Sequence, residues 1–93
     1  MVRVVVVYDI SDDRKRVRLA NSLKRLGLSR IQRSAFTGKV TSSGLKDIMR
    51  ICELFVTNES DIIHVFTLCG FDWSRRRVFS RSHSQVTENV VMV

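Results

Sequence analysis

An α+β sandwich, with two helices on one face of an antiparallel sheet, follows from three features of this 93-residue chain. Strand-like apolar runs occur near the start and at residues 61–69, two segments of helical period lie between them, and a polar alternating stretch separates those two segments. The order is strand, helix, extended segment, helix, strand, then one or two short strands.

Residues 2–8, VRVVVVY, predict a short, fully buried strand, because consecutive β-branched side chains are stiff and fit an extended backbone. Strand alternation puts Val5, Val7 and Asp9 on one face and Val4, Val6 and Tyr8 on the other, so a carboxylate ends the strand in line with core residues. Asp9 either opens the turn and caps the next helix, or serves as a metal ligand or fixed charge. Ser11 and Asp12 already supply N-cap candidates, which frees Asp9 from the first task.

From residue 13 to 26, Val17, Ala20, Leu23 and Leu26 recur at helical spacing with Leu19 beside them, and Gly27 follows where a C-cap glycine belongs. Arg14, Lys15, Arg16, Arg18, Lys24 and Arg25 cover the remaining surface. Such a run is commonly a solvated face; here Arg14, Arg16 and Arg18 lie in the first turns, near the end that receives Asp9.

Residues 28–40, LSRIQRSAFTGKV, alternate so that Arg30, Gln32, Ser34 and Phe36 share one face and Ile31, Arg33 and Ala35 the other. That polar face reads as a working surface, and Gly38 suggests a bend or bulge in one strand or a joint between two. A loop at 41–44 leads into a second helix from Leu45 to Phe55, mostly core in composition. Residues 61–69, DIIHVFTLC, read as a buried strand in which His64 is a hydrogen-bonded core residue. Residues 70–73 are turn-like, Arg75, Arg76 and Arg77 form a basic triplet, and Val78 and Phe79 begin another extended piece. The apolar end, 89–93, is expected to add a strand to an edge, of this chain or of another copy.

Sixteen Lys and Arg against 9 Asp and Glu give a formal charge of +7, and 12 arginines to 4 lysines favour phosphate partners, which forked guanidinium groups hold bidentately. Cys52 and Cys69 lack the spacing of a disulfide framework or a zinc site and are expected in the core. No apolar run approaches the roughly 20 residues of a membrane span, and the first residues make no secretory signal, so a cytoplasmic protein without membrane contact is expected. Neither a glycine-rich phosphate loop nor a Ser-His-Asp or Cys-His set is present.

The element order is that of a ferredoxin-like βαββαβ sandwich with an extra C-terminal strand, a single domain over 1–93. Its core spans about 1–80, and the segment from about 81 to 93 contributes to a dimer. The sheet's second face needs solvent or a partner, and the apolar first strand argues for a two-fold homodimer.

Tyr8-Asp9-Ile10 followed by Asp12-Asp13, the run from Gly27 to Phe36, and the helix and DIIHVFTL strand that follow resemble the small CRISPR-associated endonucleases that accompany the integrase in spacer acquisition, the second of the Cas proteins. The resemblance implies a ferredoxin-like homodimer in which two copies of Asp9 hold one Mg²⁺ or Mn²⁺ per dimer, since paired carboxylates repel unless a cation sits between them. It implies metal-dependent hydrolysis of RNA or DNA phosphodiesters, with Tyr8, Asp9, Arg16, Arg18, Arg30 and Phe36 as site residues. Ser34, on the Arg30 face, is a polar contact to backbone or metal water. Phe36 either packs against sugar or base or fills the dimer interface.

Arg14, Arg16, Arg18, Arg33, Arg75, Arg76 and Arg77 are the expected nucleic-acid contacts, on duplex DNA or single-stranded RNA, and integrase subunits are the expected protein partners. Two rival readings stand beside the nuclease. One is a non-catalytic adapter that holds duplex DNA and bridges the integrase. The other is a toxin-like messenger ribonuclease.

Overall fold

The computed structural model describes residues 1–81 and the backbone of 90–92. Strand β1 (Val2–Asp9) is flanked on both sides, by β3 (Ala35–Val40) and β4 (Ile62–Leu68), and β2 (Ser29–Gln32) pairs with β3. The sheet order is β2-β3-β1-β4, antiparallel throughout. A valine run suits that central place because both rows of its backbone groups are paired. Helices α1 (Asp13–Arg25) and α2 (Ser42–Phe55) complete the ferredoxin-like βαββαβ order. Val4, Val6, Tyr8 and Phe36 of the sheet form one buried cluster with Leu19 and Leu23 of α1 and Ile48 and Cys52 of α2.

The termini of α1 are where the sequence puts them. Asp12 caps the start by accepting from the Lys15 amide at 3.0 Å. Gly27 ends it at φ 92°, a left-handed conformation in which a side chain is strained.

Several expectations are corrected. Of the two arrangements open to residues 28–40 the chain takes two tightly joined strands, with Arg33 and Ser34 as the turn, but the irregularity falls between Arg30 and Gln32, not at Gly38. Gly38 lies inside β3 and makes room for Leu28, whose Cδ2 would lie 2.6 Å from an added Cβ. Helix α2 begins at Ser42, with Thr41 as its cap, accepting from the Gly44 amide at 3.1 Å. The small polar residues that read as a loop are its first turn.

The two apolar strands are not buried on both faces. Val7 is 38% exposed, and β4 is an edge strand with Ile62 50% and Phe66 51% exposed. His64 is exposed beside them, its ring stacked on Phe66 with centroids 5.9 Å apart, and not a core histidine. An unbroken apolar run signals burial on two faces; here the helices cover only one.

Cys52 is buried, but Cys69 is exposed and caps the short helix α3 (Gly70–Ser74), its Sγ accepting from the Asp72 amide at 3.5 Å. The apolar end forms β6 (Val90–Met92), which pairs in parallel with β5 (Val78–Ser80) of the same chain, in a sheet separate from the main one. The rest of the segment expected at 81–93, residues 82–89 and 93, lies outside the described residues. Among the described residues no helix is long and apolar enough to cross a membrane.

Candidate functional site

Asp9 is the last residue of β1, opposite Ile62 of β4, on the open face that also carries Val5 and Val7. Its side chain is exposed and makes no hydrogen bond or ion pair with any described residue. A strand end therefore presents a bare carboxylate to whatever approaches. Tyr8 turns the other way, into the core, and its amide donates to the Ser34 carbonyl at 3.0 Å. That bond ties the β2–β3 turn to the strand end and brings Arg33 and Ser34 to the same place.

Arg30 lies opposite Phe36 in the hairpin register, with its guanidinium carbon 5.1 Å from the Phe36 ring centre, and the Phe36 ring stacks on Tyr8 at 6.3 Å. Cation, ring and ring form a column beneath the cleft. Phe36 is 0% exposed within the chain's own core cluster, so it offers no face to a base or to a second copy, and both expected roles are corrected. A cleft of about 510 Å³ gathers Tyr8, Asp9, Arg16, Arg30, Arg33 and Ser34.

Arg16 lines that cleft, but three of its five N–H donors are taken up locally. Nη1 donates to the carbonyls of Ile10 at 2.8 Å and Ser11 at 3.1 Å, and Nη2 pairs with Asp13. Arg16 thus holds the β1–α1 loop, while Arg30 and Arg33 have no hydrogen bond to a described residue and keep their forks free for an anion. Arg14 and Arg18 line a separate depression on α1 with Asp13 and Val17.

Arg75, Arg76 and Arg77 lie away from Asp9, near the opposite end of β1. Arg3, near the start of β1, and Arg76 both stack on Trp73, at 4.2 and 3.8 Å from its ring centre. Arg3 and Asp9 are separated by roughly 20 Å along the strand. Burial, and then the Arg76 charge, push the Arg3 guanidinium below its ordinary pKa. Arg77 donates to the carbonyls of Arg75 and Arg76 at 2.9 and 3.3 Å, and Arg75 lies over Phe71 at 5.3 Å. The expected basic set is split into two groups.

Sequence reasoning missed the buried pair of Lys15 and Asp61. Lys15 Nζ pairs with the Asp61 carboxylate and donates to Thr57 Oγ1 at 2.6 Å; Asp61 Oδ2 also accepts from the amides of Thr57 at 3.2 Å and Asn58 at 3.1 Å. The Lys15 hydrogen bond, helped by those amides and opposed by burial, holds the Asp61 carboxyl down to about 2. Nothing local announces a partner 46 residues away. Trp73 was likewise read only as part of a turn.

Among the described residues no group of three or more His, Cys, Asp or Glu could hold a metal. Asp9 alone, unpaired and open, fits one hard oxygen ligand of Mg²⁺ or Mn²⁺, with the remaining positions left to water, phosphate oxygens or a second chain.

Comparison with known proteins gives a consistent result. The family model described as CRISPR associated protein Cas2 matches residues 1–76. The "CRISPR-associated endoribonuclease Cas2" of Korarchaeum cryptofilum is 41% identical over 85 residues, covering 91% of this chain and 84% of that protein. A "CRISPR-associated endonuclease Cas1/endonuclease Cas2 fusion" from Thermoproteus tenax is 42% identical over 45 residues, 48% of this chain and 17% of the fusion. A crystal structure of Cas2 superposes with a TM-score of 0.75 at 24% identity, covering 92% of this chain and 94% of that one, a likeness of fold.

Proposed function

Since the chain belongs to the CRISPR associated protein Cas2 family, we propose that it is a metal-dependent endonuclease of RNA or DNA phosphodiesters, working as a homodimer in spacer acquisition. The observation that carries this reading is the Asp9 carboxylate in one cleft with the guanidinium groups of Arg30 and Arg33, none of the three hydrogen-bonded or ion-paired among the described residues.

In this mechanism Arg30 and Arg33 hold the non-bridging oxygens of a phosphodiester from the hairpin side, and the Ser34 hydroxyl donates to the same backbone. Asp9, together with the Asp9 of a second copy, would hold Mg²⁺ or Mn²⁺. A divalent cation bound there stabilises charge on the phosphoryl oxygens and makes water a better nucleophile. Arg16 keeps the loop behind Asp9 in place through the Ile10 and Ser11 carbonyls. The dimer is supported by the open sheet face, where Val7, Ile62 and Phe66 present apolar surface around the Asp9 end.

The acquisition role, in which the dimer bridges integrase subunits on duplex DNA, draws support from the relative that joins Cas1 and Cas2 in one chain. A second reading, the adapter without cleavage, is favoured by a single observation: each chain brings one carboxylate and no metal cluster among its described residues.

The deciding experiment is cleavage of labelled single-stranded RNA and duplex DNA by wild type and Asp9→Ala, with Mg²⁺, Mn²⁺ or chelator. Cutting that requires metal and disappears in Asp9→Ala is expected. Equal cutting by the variant, or none by wild type, leaves the adapter.

A further inference from the structure

Two cations in the first turns of α1 reach to different places. Arg16 holds the carbonyls of Ile10 and Ser11, while Lys15 crosses to the segment that precedes β4 and pairs with Asp61. Asp61 is 5% exposed, and its Oδ1 is buried without a hydrogen-bond partner among the described residues. A buried carboxylate served by one cation is a firm constraint, because removing Lys15 leaves the Asp61 charge uncompensated in a dry site.

That pair closes a ring of short links around Asp9. Asp61 is followed by Ile62, which faces Asp9 across the β1–β4 ladder. From Asp9 the chain runs through Ile10 and Ser11 to Asp12, whose carboxylate accepts from the Lys15 amide at 3.0 Å. The Lys15 side chain then returns to Asp61.

We propose that Lys15 and Asp61 are positioning residues for the Asp9 cleft. They set the first turn of α1 against the start of β4, so that Arg16 reaches the loop carbonyls and the Asp9 carboxylate keeps its place beside Arg33 and Ser34. The consequence for catalysis rests on the nuclease reading above; the consequence for geometry does not.

The test uses the full chain as wild type, Lys15→Met, Asp61→Asn and the conservative Lys15→Arg, in three measurements: amide hydrogen exchange by peptide, Mn²⁺ affinity by electron paramagnetic resonance, and kcat and KM for cleavage. Lys15→Met and Asp61→Asn are expected to speed exchange across residues 9–16 about tenfold while the hairpin at 29–40 is unchanged. Mn²⁺ affinity and kcat fall on the order of tenfold with KM little changed, and Lys15→Arg restores all three. Exchange that rises uniformly along the chain, or not at all, overturns the proposal, as does local loosening with Mn²⁺ affinity and kcat intact. A wild type that neither binds Mn²⁺ nor cleaves defeats the nuclease reading separately, and the exchange pattern then decides the positioning claim alone.

Discussion

The Arg16 guanidinium donates to the Ile10 carbonyl at 2.8 Å, so an arginine that borders the candidate cleft is also the latch of the loop behind Asp9. Lysine at this position keeps the charge but not the fork that spans Ile10, Ser11 and Asp13. Arg16→Lys is expected to lower unfolding free energy by about 1 kcal/mol, read by urea denaturation. An unchanged midpoint would show that the latch contributes nothing.

Arg33 should behave in the opposite way. It is exposed, in the hairpin turn, and without a partner among the described residues. Arg33→Ala is therefore expected to leave stability within about 0.5 kcal/mol while weakening nucleic-acid binding and reducing the salt slope by about 0.7–0.9. Fluorescence anisotropy across a salt series checks both quantities.

The buried Asp61 links stability to pH. Its carboxyl is held down to about 2, below the ordinary value near 4 of an unfolded aspartate. Between those values the unfolded chain binds the proton and the folded chain does not, so stability rises with pH. The contribution is complete above about pH 4 and is lost as pH falls through about 2. Urea titrations from pH 5 to 2 should show this loss in wild type and a shallower dependence in Asp61→Asn.

Gly38→Ala tests the packing of β3 on the α1–β2 connection. The new Cβ would meet Leu28 Cδ2 at 2.6 Å and the Gly27 carbonyl at 3.2 Å, in a place where Leu28 is buried. A loss of about 1–3 kcal/mol is expected from overpacking. A variant as stable as wild type would mean that Leu28 yields freely.

The two cysteines should be distinguishable by a thiol reagent at pH 8. Burial pushes the Cys52 thiol up to about 11, whereas Cys69 is exposed at the start of α3. One thiol is expected to react in the native protein and the second only after denaturation. Fast labelling of both in native conditions would contradict the buried position of Cys52.

What the sequence determined by itself is what depends on neighbours along the chain. The valine run, the 3.6-residue spacing from Val17 to Leu26, the Asp12 cap and the Gly27 terminator are local signals, and each appears where its local chemistry requires. Alternation alone placed Asp9 on the face opposite Tyr8, and the segments from Tyr8 to Phe36, with the helix and the DIIHVFTL strand after them, carried the family resemblance.

Tertiary structure decided whatever depends on contacts between distant segments. The element order already put both helices on one face of the sheet, but the apolar runs of β1 and β4 did not say which of their residues would lie on the open face, where His64 and Phe66 are exposed. Charge pattern did not separate Arg16, bound to loop carbonyls, from Arg33, which is free; nor did it divide the triplet at 75–77 from the arginines near Asp9. The Lys15 and Asp61 pair spans 46 residues, and only the folded chain brings its two halves together over a buried carboxylate. A hydrogen bond or an ion pair is a relation between positions in space, and periodicity records only positions along the chain.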